Sequence, residues 1–159
     1  MEIQQIKMNW IIEKGTPEDT AVIAGFQLDM AEESEGTLLD PDTVNKGVHA
    51  GLSDPSKGIY FLAKTADGTI AGSLFLTKEW SDWNNCSYWW IQSVYVRPDY
   101  RRMGVFSALY SEVRRQAQAE GSTCLRLYVD KTNEKAKECY RAQGMDECHY
   151  LMYEETFRH

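Results

Sequence analysis

Apolar positions along this chain follow two rhythms, one of strand type and one of helix type, and their order sketches a fold. Asn9 to Glu13 reads as a short strand. Thr16-Pro17-Glu18-Asp19 then supplies an N-cap residue, a first-turn proline and acidic side chains suited to a helix dipole. Val22, Phe26 and Met30 recur at helical spacing with Ile23 beside them, so they form the expected buried stripe of that helix, which the polar run Ala31 to Gly36 closes. Asp40-Pro41 opens a second, short helix carrying Val44, Val48 and Leu52, and Ser53-Asp54-Pro55 ends it.

Strand grammar follows. Ile59 to Lys64 and Thr69 to Thr77 are rich in β-formers and flank Ala66-Asp67-Gly68, a hairpin turn signal. Tyr88 to Arg97, aromatic and β-branched, stops at Pro98 and reads as a third adjoining strand. Phe106, Leu109, Val113 and Ala117 predict an amphipathic helix ending near Gly121. Leu125 to Val129 is an apolar strand, Asn133 to Gln143 a helix stopped by Gly144, and Met145 to Glu154 the last strand material. The order β-α-α-β-β-β-α-β-α-β predicts an α/β (α+β) fold in which helices cover a mixed sheet. No repeat, low-complexity tract or linker divides the 159 residues, so residues 1–159 read as a single domain.

Composition narrows the classes. No run approaches the roughly 20 apolar residues of a membrane span, and MEIQQIKMNW has neither a basic nor an apolar leader region. The expectation is a soluble, cytoplasmic protein. Cys86, Cys124, Cys139 and Cys148 lack zinc-site spacing and are too sparse for a secreted disulfide scaffold, so they read as reduced packing thiols rather than nucleophiles. His49, His149 and His159 have no ligand-like neighbours, and no metal is expected. With 24 acidic against 17 basic side chains, the net charge of −7 disfavours nucleic acid and suits a cationic small molecule.

Val94 to Ser107 is the most informative stretch. A strand runs into a turn with Arg101, Arg102 and Gly104, and a helix follows. Helix N-termini present main-chain N–H groups to phosphates, and glycine allows close approach. Neither GxxxxGK[ST] nor GxGxxG is present, so the turn is not of Walker or Rossmann type. Taken alone it is equally an ordinary strand-to-helix turn with solvated arginines.

Two motifs together decide the matter. Arg101-Arg102-Met103-Gly104-Val105-Phe106 resembles the [Q/R]-x-x-G-x-[G/A] cofactor motif of the GNAT N-acetyltransferase superfamily, with Phe106 where glycine or alanine is usual. Asn133, Ala136, Tyr140 and Gly144-Met145 resemble its second motif, N-x-x-A-x-x-x-Y-x-x-x-G-[F/M]. Both occur in the family's order and spacing. The resemblance implies a mostly antiparallel central sheet, splayed between its fourth and fifth strands, that binds acetyl-coenzyme A. The pantetheine arm would lie along Val94, Tyr95 and Val96, bonded by the backbone of Val94 and Val96. Arg101 and the amides of Arg102, Met103, Gly104, Val105, Phe106 and Ser107 would hold the pyrophosphate, and Asn133 would contact the pantetheine region. The family also makes a homodimer plausible.

By the same resemblance, Tyr140 is the general acid and the Val94 N–H the oxyanion donor. A phenol of pKa about 10 suits a thiolate of about 8.5. Tyr140 reads equally as a core tyrosine four residues after Ala136, and the two roles are compatible. Gln92 stands where several family members carry a glutamate and cannot act as a base. A water chain to Glu33 or Glu79, or capture of the neutral amine, would replace it.

Glu32, Glu33 and Glu35 cluster at the first helix end, and Trp80, Trp83, Trp89 and Trp90 crowd near Glu79 and Asp82. Carboxylates beside aromatic faces suit a cationic amine, so Glu33, Glu79, Trp83, Trp89 and Gln92 are the candidate acceptor residues. Trp90 reads as core. Trp83 and Trp89 are open between core and pocket, and Glu32 and Glu35 read also as residues that only solubilise the loop. The function expected is acetyl transfer to the primary amine of a small molecule. The alternatives are a catalytically silent acyl-CoA sensor and an acetyltransferase acting on a protein lysine or N-terminus.

Overall fold

The computed structural model describes residues 9–158; most of the segment read for leader features, and His159, lie outside the described residues. Residues up to Tyr128 form one compact unit and those from Val129 a second, each described by itself.

The first unit runs β1 (Ile11–Lys14), α1 (Thr20–Glu35), α2 (Pro41–Ser53), β2 (Ile59–Lys64), β3 (Ile70–Ser81), β4 (Cys86–Val96), α3 (Val105–Ala119) and β5 (Leu125–Arg126). The sheet order is β1-β2-β3-β4-β5, antiparallel throughout except for the parallel pair β4 and β5. This is the mixed, mostly antiparallel arrangement the element order predicts.

Local signals act where expected. The Thr16 N–H donates to Asp19 Oδ2 at 2.8 Å in the 3-10 turn Pro17–Asp19 that leads into α1, and the Thr43 N–H donates to Asp40 Oδ2 at 3.0 Å, so Asp40 caps the start of α2. The polar run does not end α1. Ala31 to Glu35 stay helical, since Ala and Glu are strong helix formers, and Gly36 at φ 62° supplies the stop.

On one sheet face, Ile23 and Ala24 of α1 and Val48 of α2 cover Tyr60, Leu62 and Phe75, with Tyr60 stacked on Phe75 at 4.2 Å. On the other face, α3 buries Val105, Leu109, Tyr110, Val113 and Ala117. Gly72 allows that approach: a Cβ there would stand 2.6 Å from Tyr95 O and 3.2 Å from Val105 Cγ1. Among the described residues no helix is long and apolar enough to cross a membrane.

Two strand expectations are corrected. Only Leu125 and Arg126 of the segment Leu125 to Val129 pair as a strand, because β5 leaves β4 after Arg126. In the second unit, residues 145–158 form no strand at all, since a strand exists only where a neighbouring ladder takes up its N–H and C=O groups. That unit's regular element is α4 (Glu134–Ala142), begun by Asn133 and closed by Gly144 at φ 94°. Cys139 and Cys148 are exposed, not packed as expected.

Candidate active site

β4 sets the geometry. Leu76 pairs with Ile91 and Phe75 with Ser93, which leaves Gln92 as an extra, bulged residue. A bulge shifts the alternation by one position. Before it, the Trp89 N–H donates across to Cys124 O at 3.0 Å on the β5 side. After it, the Arg97 N–H donates to Ala71 O at 2.8 Å on the β3 side, so alternation turns the N–H groups of Val94 and Val96 toward the β5 side. β5 pairs only with Trp89 and Trp90, and among the described residues no strand pairs with that edge from Ile91 to Val96. The expected splay between the fourth and fifth strands is therefore present.

The turn beyond β4 is shaped to expose main chain. Tyr100 and Arg101 spend their N–H groups on Arg97 O at 2.9 Å and Pro98 O at 3.3 Å, whereas the Ala108 N–H, onto Gly104 O at 3.0 Å, is an ordinary helical bond. In between, Arg102 at φ 63° and Gly104 at φ 81° are left-handed. Alternation of left- and right-handed residues at a helix start gathers N–H groups into a concave anion site. A Cβ at Gly104 would meet nothing within 4 Å, so the approach is open. Phe106 is half-buried with its ring 5.9 Å from Tyr110 of the same helix, which is how the bulky motif position is accommodated.

Trp10 was not legible as a site residue. Its Nε1 donates to Met103 O at 2.9 Å and its ring meets Tyr100 edge-on at 5.7 Å, a contact across the sequence that no local pattern announces.

Arg101 is bound by neighbouring protein groups. Its Nη2 lies 2.7 Å from Glu33 Oε2, its Nε donates to Val96 O at 3.0 Å, and its guanidinium stands 5.6 Å from the Tyr95 ring. The Tyr95 hydroxyl donates to the other Glu33 oxygen at 3.3 Å, and its ring packs on Phe26 of α1 at 5.1 Å. Burial first, and then the Glu33 charge, raise the Tyr95 phenol pKa.

Strand alternation separates the tryptophans. Trp89, expected at an acceptor pocket, is 1% exposed and lies under Lys78 Nζ at 4.9 Å, so it is a covered sheet residue. Trp83 stands 90% exposed on the β3–β4 turn. Trp90 is half-buried beside Tyr128 at 6.5 Å. Glu79 pairs with Arg126 at 3.0 Å, and that guanidinium lies over Tyr88 at 4.5 Å. The Gln92 Nε2 donates to Thr77 Oγ1 at 2.7 Å. Trp90, Gln92 and Glu79 thus share one face, Glu33 sits against the turn, and Trp83 and Trp89 are elsewhere. Arg126 was missed, although a lone charge inside an apolar strand was a usable signal. A cavity of about 310 Å³ lined by Lys78, Trp80, Cys86 and Trp89 lies at the opposite end of β4 from Arg101.

In the second unit, Asn133 Oδ1 accepts the Ala136 N–H at 3.1 Å and caps α4. Tyr140 is half-buried on that helix, and burial, followed by the neighbouring Cys139, raises its phenol pKa.

The model of the acetyltransferase (GNAT) family matches residues 23–145. A solved structure described as a possible acetyltransferase from Clostridium difficile 630 is 40% identical, with 94% of this chain and 99% of that chain covered and a TM-score of 0.89. A ribosomal-protein-alanine N-acetyltransferase from Brucella melitensis biovar Abortus 2308 shares the fold at 17% identity, with coverage of 94% and 100% and a TM-score of 0.75. So does an aminoglycoside acetyltransferase from an uncultured soil metagenomic sample, solved with sisomicin, at 18% identity, coverage of 94% and 97% and a TM-score of 0.73. No curated protein matches. With a family model running through both units and a 40% identical structure covering the chain almost end to end, this protein belongs to the GNAT acetyltransferase family.

Proposed function

We propose that the chain transfers an acetyl group from acetyl-coenzyme A to the primary amine of a small-molecule acceptor, by direct attack with both bound, within one catalytic domain. The observation that carries this is the unpaired β4 edge, where the Val94 and Val96 N–H groups face away from β3 a few residues before the left-handed turn at Gly104. That edge fits a pantetheine arm as an added strand, and the turn fits its diphosphate. Acetyl-coenzyme A supplies the activated thioester.

The chain's own groups then divide the work. The Val94 N–H donates to the thioester oxygen as negative charge develops there. The Tyr140 hydroxyl, its pKa raised above the ordinary value of 10, keeps its proton at neutral pH and gives it to the departing sulfur. Glu33 and Glu79 are ion-paired with Arg101 and Arg126, so capture of the neutral amine is favoured over a carboxylate base; the attacking nitrogen loses its extra proton to water, and water returns one to the Tyr140 phenolate. Trp90 and Gln92 remain as acceptor-side residues.

The dispersal of the tryptophans favours one second reading, an open groove for a protein lysine or N-terminus. The fold shared with the ribosomal-protein-alanine enzyme is compatible with it. Calorimetry with coenzyme A and a thiol-release assay over polyamines, aminoglycosides and a peptide panel test the proposal. Coenzyme A binding with turnover on a small amine supports it. Binding without turnover on any amine points to a silent acyl-CoA sensor, and turnover on peptides alone to the second reading.

A further inference from the structure

Arg101 occupies the first position of the cofactor motif, yet its Nε and Nη2 are already held by the protein. A phosphate contact through the same nitrogens would compete with Glu33 at 2.7 Å and Val96 O at 3.0 Å. Its charge is already matched by Glu33, so it adds little net attraction for an anion. Arg102 differs, for it makes no ion pair among the described residues and occupies the left-handed position of the turn.

Glu33 belongs to the last turn of α1, whereas Arg101 belongs to the turn after β4. Their contact spans 68 positions and also takes in Tyr95, whose hydroxyl donates to the same carboxylate. Val96 O, held by Arg101 Nε, belongs to the open edge itself. We propose that Arg101, clamped by Glu33, is a positioning residue that fixes the β4 edge and the following turn to α1, and that Arg102 rather than Arg101 supplies the cation for the coenzyme A phosphates. This role rests on the acetyl-coenzyme A reading above.

The two roles give opposite signs on substitution of Glu33. If Arg101 were a phosphate ligand held back by Glu33, Glu33→Gln would free it and tighten coenzyme A binding. As a strut, Glu33→Gln and Arg101→Gln loosen the same contact. Each then weakens both coenzyme A and phosphate-free pantetheine by roughly three- to thirty-fold, and the double variant is no worse than either single one, as for residues of one network. Arg102→Gln weakens coenzyme A alone.

The test is calorimetry of the unsubstituted chain and the four variants with coenzyme A and with pantetheine, and of coenzyme A across a salt series. The expected result adds that Arg102→Gln flattens the salt dependence of coenzyme A binding and Arg101→Gln leaves it unchanged. Tighter or unchanged coenzyme A binding by Glu33→Gln, or a flattened salt dependence in Arg101→Gln, overturns the assignment. Failure of the unsubstituted chain to bind coenzyme A would instead overturn the cofactor reading, and this role with it.

Discussion

A phenol can protonate a leaving thiolate only if it keeps its own proton at neutral pH, as an ordinary tyrosine does, and burial moves the Tyr140 pKa further up. On the proposed mechanism, replacing Tyr140 by Phe removes the proton source and keeps the ring, so turnover should fall by about 10²- to 10⁴-fold with coenzyme A affinity little changed, as read by steady-state kinetics and calorimetry. An unchanged rate takes Tyr140 out of the mechanism. Gly104 makes a different demand, because its φ of 81° lies where a side chain costs roughly 1 to 2 kcal/mol. Gly104→Ala should therefore weaken coenzyme A binding more than it lowers thermal stability, measured side by side. The motif residues were legible because each role is tied to a residue type in a fixed spacing. Trp10 and Arg126 were not, because their partners Met103 and Glu79 are distant in sequence.

Helices and strands were mostly readable from period and caps, and the exceptions share a cause. α3 shows what period can do: Leu109, Val113 and Ala117 fall on its buried stripe as expected. On its outer side, the Arg115 guanidinium and then the Gln116 amide hold the Glu112 carboxyl at about 2, below its ordinary 4.5. The folded value is the lower one, so the associated stability is complete above about 4.5 and is lost as pH falls from there toward 2. Chemical denaturation at a series of pH values should show Glu112→Gln flattening stability across that window. Gly72 reports on how α3 meets the sheet. Gly72→Ala places a Cβ 2.6 Å from Tyr95 O, so the backbone must shift at a cost of about 1 to 3 kcal/mol, and urea midpoints should fall accordingly. Period alone did not foresee that the tail from Met145 to Glu154 forms no strand, since its alternation says nothing about whether a ladder partner exists.

For the chain as a unit of charge, the excess of 24 acidic over 17 basic side chains is a long-range field, and salt screens such fields. If the acceptor is a cationic amine, its KM should rise between low and high ionic strength while that of a neutral amine stays level. Equal behaviour of the two would remove charge from acceptor recognition. Membership of the GNAT family was legible from two spaced motifs, because each ties particular residue types to a fixed local spacing, as a glycine and a helix start are tied together from Arg101 to Ser107. Residue order also specified the succession of helices and antiparallel strands, since period and turn chemistry are local. Which side chains share a surface was not local. The bulge at Gln92 changed the facing of Val94 and Val96, burial claimed Trp89, and ion pairs claimed Glu33 and Glu79. Those outcomes depend on strand register and on charges brought together across dozens of positions, and only tertiary packing sets either.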